Sequence, residues 1–243
     1  MQRPSDHVRR SRLGVWLAGT IMALTATGFS PAAAETWQMY TYIPNTDSPV
    51  GAGLRRIVDR VKAETAGELT IQLHLGGSLP IKVTDIGEAV GANIVQIGAD
   101  SFVSGHVPIA GVARLPMLVA DRDLDAVMGV VRPRVEEAFA RLKVKLLGYY
   151  VWDRIHIYAT RPLAGIGDLA GRKVRQGSPE SADLIRSGGG VPITIGSPEV
   201  AAALQHRLLD AVVTTTVGGG ALWADSFTHS YRIGMYRPES WIQ

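Results

Sequence analysis

Residues Leu147 to Thr216 read LGYYVWDRIHIYATRPLAGIGDLAGRKVRQGSPESADLIRSGGGVPITIGSPEVAAALQHRLLDAVVTTT, and this stretch decides the fold. The segment Lys145 to Val151 leads into it, rich in the aromatic and β-branched residues that suit a strand. Arg172 to Gln176 reads as a second short strand, followed by a helix from Pro179 to Ser187, and Pro192 to Ile195 is extended. Ser197-Pro198-Glu199 opens a further helix, with Ser197 placed as an N-cap and Val200, Ala203, Leu204 and Leu208 as the apolar stripe. Asp210 to Thr216 returns as a strand. Short strands alternating with helices at this spacing imply an α/β architecture with mixed, mainly parallel sheets.

The same alternation extends toward the N-terminus. Trp37 to Ile43 suits a first strand, and Ser48-Pro49 supplies an N-cap followed by proline at the first helical position. Leu54, Ile57, Val58 and Val61 then recur on one helical face until Gly67. Leu69, Ile71, Leu73 and Leu75 alternate with polar residues, the period of a half-buried strand. Val83, Ile86 and Val90 mark a second helix, and Ile94 to Ile97 a short buried strand. Asp121 to Lys143 is helical in pattern, with Pro133 expected to break it in two.

Residues 1–34 read as a secretory leader. Arg9, Arg10 and Arg12 precede the uncharged apolar run Leu13 to Phe29, and Ala32-Ala33-Ala34 supplies a small-residue cleavage site, so the mature chain begins at Glu35. A membrane anchor is the competing reading, but the run has about the minimum spanning length and contains Gly and Thr, with Ser30 directly after it. Arg9-Arg10 hints at twin-arginine export, although such pairs are common in ordinary leaders. Of 25 basic and 22 acidic residues, Arg3, Arg9, Arg10, Arg12 and Asp6 leave with the leader, so 21 of each sign remain. A near-neutral mature chain lacks the clustered basic surface of a nucleic-acid binder. Cysteine is absent, which excludes disulfide staples and thiolate metal sites in an exported protein.

Motifs for chemistry are missing. No G-x-S-x-G, G-x-x-x-x-G-K-[ST] or H-E-x-x-H occurs, and the six histidines (His7, His74, His106, His156, His206, His229) form no pair at ligand spacing. The runs Gly188 to Gly190 and Gly218 to Gly220 lack the lysine of a phosphate cradle and read as turns that need positive φ. The chain therefore reads as a binder, with no enzymatic activity, cofactor or metal implied.

The quoted stretch resembles the solute-binding subunits of TRAP transporters, the DctP-type family. The likeness rests on the LG-aromatic strand, the turn Arg161-Pro162-Leu163, and Asp168-Leu169-x-Gly171-x-Lys173-Val174-Arg175. It continues through a glycine pair, Pro192, Glu199-Val200, Ala203-Leu204-Gln205 and a strand opened by Asp210, and extends to AETAGELTIQLHLGGSLPI (Ala63 to Ile81) and Ala89 to Ser101. It covers nearly all of Trp37 to Arg232. The resemblance implies a two-lobed, hinged periplasmic-binding-protein-like fold, with lobe I over 35–150 rejoined by part of 230–243 and lobe II over 151–229. Family members commonly run on through further C-terminal helices that this sequence does not show. The implied job is to bind a small carboxylate in the periplasm and deliver it to a TRAP membrane permease; the alternative is a sensor presenting the solute to a membrane signalling receptor.

The resemblance also carries over individual residues. Arg175 ends the G-x-K-x-R strand and is expected to grip the ligand carboxylate through two parallel bonds, for which the guanidinium fork is suited and lysine is not. A second arginine is expected about twenty residues upstream; that position falls near Ile155, which makes Arg154 the nearest candidate, with an ion pair to Asp153 as its bland reading. Thr214 and Thr215, Ser197, the pair Asp100 and Ser101, and Tyr42 with Asp47 are expected around the cleft. Trp152 and Trp223, with Tyr149 and Tyr150, would wall it with aromatic surface or pack between lobes.

Overall fold

Ser48 starts the first helix as its residue type dictates. Its hydroxyl accepts a hydrogen bond from the Gly51 amide at 3.1 Å, Pro49 takes the first helical position, and α1 runs Pro49–Glu64. Leu54 and Val58 are buried, whereas Ile57, expected on the same face, is 42% exposed. The computed structural model describes residues 34–115, 118–233 and 236–243. The expected leader lies outside the described residues, apart from Ala34.

Strands β1 (Glu35–Thr41), β2 (Leu69–His74) and β3 (Ile97–Asp100) pair in parallel, with β1 in the middle. Helix α2 (Ile86–Gly91) precedes β3, which begins three residues later than its apolar pattern suggested. Asn93 adopts φ 56° and the Ile94 amide bonds back to the Ala89 carbonyl, so Ile94 belongs to the helix-ending turn and is 63% exposed. Helix α3 (Leu124–Arg141) is continuous through Pro133. Pro133 sits on the exposed face, where the Gly129 carbonyl, deprived of its donor, can be solvated, while Leu124, Met128, Val131, Val135 and Phe139 keep the opposite stripe packed.

The chain then passes from β4 (Gly148–Val151) to β5 (Ile155–Ala159) and into a second sheet. There β6 (Lys173–Gln176) lies between the parallel strands β7 (Val191–Thr194) and β8 (Ala211–Thr215), and β5 runs antiparallel between β8 and β9 (His229–Tyr231). Helices α4 (Pro179–Ser187) and α5 (Ser197–Gln205) connect the parallel strands. Val212 packs with Val200 and Leu204 of α5, and its neighbour Val213 with Ile185 of α4, so the two helices cover opposite faces of the sheet.

Strand β10 (Glu239–Ile242) returns to the first sheet and inserts antiparallel between β3 and β4. The resulting orders are β2-β1-β3-β10-β4 and β7-β6-β8-β5-β9. The fold is two-lobed α/β with mixed sheets. Among the described residues parallel and antiparallel pairings are equal in number, four of each, because every strand of the crossing segments pairs antiparallel. These segments also hold each other: the Trp152 amide donates to the Pro238 carbonyl at 2.8 Å and the Ile155 amide to that of Tyr236 at 3.1 Å. Among the described residues no helix is long and apolar enough to cross a membrane.

Pro133→Ala should restore a helical hydrogen bond at an exposed site and raise unfolding stability by about 1–3 kcal/mol, less any loss from a freer unfolded chain. A higher urea midpoint at unchanged slope is the expected result.

Candidate functional site

Parallel strands from both sheets end at one cleft. Tyr42 and Ile43 follow β1, Ser101 and Phe102 follow β3, Arg175 lies near the end of β6, Ser197 follows β7, and Thr214 and Thr215 end β8. With Trp152 and Pro238 from the crossing segments and Trp223, they line a cavity of ≈ 80 Å³. The carboxyl ends of parallel strands are where α/β folds place ligands, because the loops there are free of the sheet's own hydrogen bonding.

Arg175 is the most constrained of these groups. It is 6% exposed, its Nε donates to the Ile195 carbonyl at 3.1 Å, and its guanidinium carbon lies 5.8 Å from the centroid of the Trp223 ring. Among the described residues no carboxylate pairs with it; Tyr42 and Glu199 act on it only at longer range. Burial pulls its pKa down to about 10, which leaves it charged at neutral pH. The fork of Nη1 and Nη2 is thus held at the cavity by one backbone bond and one ring face.

The other expected residues divide clearly. Tyr42, Ser101, Trp152, Ser197, Thr214, Thr215 and Trp223 line the cavity with Arg175. Ser197 does not cap α5: Gly196 holds the cap position and no side chain caps the helix, while the buried Ser197 lines the cleft. Trp152 donates from its indole to Ser240 at 2.9 Å, and Tyr42 shares that serine at 3.0 Å, so both rings are pinned by β10. Arg154 is outside the cavity lining, forming a forked pair with Asp121 at 3.0 and 3.3 Å; its expected partner Asp153 instead accepts from the Thr216 and Val217 amides. Asp47 is exposed beside the start of α1. Asp100 is buried behind the cavity wall and accepts from the Phe102 amide at 2.6 Å. Tyr149 packs on Trp241 and Tyr150 on Trp152.

The Gly218 to Gly220 run serves proximity rather than positive φ. A Cβ on Gly219 would collide with the Trp223 ring and lie 2.5 Å from the Thr214 hydroxyl, so the backbone itself forms part of the wall. Gly189, with φ 76°, does meet the expected turn requirement in the other run.

A model of the bacterial extracellular solute-binding protein family 7 matches residues 40–217, from β1 to just past the end of β8. The chain belongs to that family. This family 7 protein is similar to an extracytoplasmic solute receptor of Bordetella pertussis that binds pyroglutamic acid, with 25% identity and a TM-score of 0.79 over 86% of this chain and 70% of that one. It shares its fold with a marine metagenome TRAP solute-binding protein specific for pyroglutamate (23% identity, TM-score 0.80, the same coverages). The fold is also that of a Sulfurospirillum deleyianum TRAP solute-binding protein with bound succinate (19% identity, TM-score 0.78, 86% and 69% covered).

Sequence reading of this family 7 protein missed several wall residues. Arg114, 1% exposed, lines the cavity and is paired through Nε to Glu239 Oε1 at 2.8 Å; it also donates to the Ser101 carbonyl at 2.9 Å and to the Glu239 carbonyl. Ser178, Ser181 and Tyr236 form a hydroxyl cluster at the wall, with the tyrosine oxygen 3.0 and 2.7 Å from the two serines. These partners are distant in sequence, so no local pattern marks them.

Burial pushes the Asp100 carboxyl from its ordinary 3.8 up to about 7, against the opposing Phe102 amide bond and the Arg114 charge. His106, whose Nε2 is 3.8 Å from Asp100 Oδ2, is itself pulled below its ordinary value by burial. Between pH 4 and pH 7 the folded protein keeps a proton that the unfolded chain has released, so this group makes stability fall as pH rises through that window and leaves it low above. Asp100→Asn should therefore exceed the parent in urea stability at pH 8 by about 2–4 kcal/mol, and the gap should shrink by pH 5.

Proposed function

We propose that this family 7 protein is an extracytoplasmic receptor that captures a small organic acid in the cleft between its lobes and delivers it to a TRAP-type membrane permease. The observation that carries the reading is Arg175, a buried, charged guanidinium that faces the cavity without a carboxylate partner among the described residues. A buried cation without an anion is costly, and a carboxylate ligand supplies that anion through two parallel N–H···O bonds. The aromatic surface of Trp152, Trp223 and Tyr42, with the hydroxyls of Ser197, Thr214 and Thr215, suits the body of such a solute.

Residues 1–34 serve, in this reading, as the export leader to the periplasm, and the lobes divide at 35–150 and 151–229, with 230–243 contributing its strand to the first. Transport is favoured over ligand sensing because the similar solved structures are TRAP solute-binding proteins that hold small acids.

Purified protein screened by thermal shift against small organic acids should show carboxylate hits and no comparable response to neutral sugars, since ligand bound only by the folded state raises Tm. Arg175→Lys should weaken the best hit at least about a hundredfold, consistent with the loss of charge-assisted bonds at roughly 1.5–3 kcal/mol each. Equal stabilisation by neutral sugars, or full affinity in Arg175→Lys, would count against the proposal.

A further inference from the structure

Among the described residues two guanidiniums line the cavity, and their states differ. Arg175 brings one positive charge without an ion-pair partner among the described residues, its longer-range companions being Tyr42 and Glu199. Arg114 is already spent on the protein: Glu239, itself 1% exposed, holds it at 2.8 Å, and its third nitrogen donates to the Glu239 backbone. Glu180 and the tyrosine of residue 236 also act on Arg114 electrostatically, as does Asp100 from behind the wall. The position near which a second arginine was expected holds Ile155, a cavity-lining apolar residue, and Arg154 beside it is turned to Asp121.

Resting on the carboxylate reading of the same cleft, we infer that this receptor selects solutes with a single negative charge and discriminates against dicarboxylates of the same length. Among the described residues the cleft offers charge complementarity to one carboxylate. A second carboxylate directed at Arg114 meets a cation already neutralised by Glu239, and elsewhere it meets Ile155, Phe102, Trp152 and the hydroxyl cluster. Desolvating that second charge without a counter-ion is unfavourable, and rejection through an unpaired charge is a recognised route to specificity. The uncharged end of the ligand is apolar or carries hydroxyl, carbonyl or amide groups that can exchange bonds with Ser178, Ser181 and Tyr236.

The test is calorimetric titration at pH 8 of matched pairs: butyrate against succinate, 2-hydroxybutyrate against malate, and 2-oxopentanoate against 2-oxoglutarate. The tightest ligand should be a monoacid, and each diacid should bind at least about tenfold more weakly than its partner. Glu239→Gln, which leaves Arg114 charged without its counter-ion, should narrow the gap; the ranking in the parent protein decides the matter even if that variant fails to fold. A diacid binding as tightly as its matched monoacid, with affinity lost in Arg175→Lys, would overturn the single-charge inference and leave the carboxylate reading standing. Failure of every acid to bind would overturn both.

Discussion

Much of the site depends on keeping a guanidinium charged in a place with little water. Arg175 has one backbone acceptor and one aromatic face, so it is oriented without being neutralised. That combination needs a rigid frame, because a mobile arginine would turn toward solvent or toward a surface carboxylate. The frame is β6, parallel to strands on both sides, with Arg175 registered against Ile193 and Val212. The glycine-built turn after β8 then lets Trp223 lie against the guanidinium. Sheet pairing, ring placement and charge are therefore one arrangement.

The contrast with Arg114 shows how a fold assigns different work to the same side chain. Arg114 is also buried, but it is paired with Glu239 and donates to two carbonyls, and it ties the segment after β3 to β10. Replacing one partner of such a pair leaves an uncompensated buried charge, whereas the intact pair holds the wall in place. Tyr42 and Trp152 are anchored to the same strand through Ser240. Strand β10 is thus the structural backing for the first-lobe side of the cleft.

The parts of this design that were legible in the sequence are those written in local pattern. Alternating Leu69, Ile71 and Leu73 located β2 and Ser48-Pro49 located the start of α1, whereas Arg175, which lines the cavity, was singled out by the family resemblance of its strand and not by local pattern. Ile57 and Ile94 misled because apolar residues are tolerated singly on surfaces, and Pro133 misled because an exposed proline can be carried by a helix whose other face is well packed. Arg154 does not line the cavity and forks onto Asp121, a partner 33 residues away that no local pattern marks. Glu239 and Tyr236 were invisible for a different reason. Their roles arise from contacts with Arg114, Ser178 and Ser181, which only the return of the chain to the first sheet creates.

That return has a bearing on how the molecule reaches its native state. Residues 239–242 occupy an interior row of the first sheet, flanked by rows made of 97–100 and 148–151. Until they arrive, the first sheet has an open seam, whereas the second can be completed from residues 155–231 alone. Pairings so remote along the polymer slow folding. The second sheet can therefore close before the first, whose seam waits for residues 239–242.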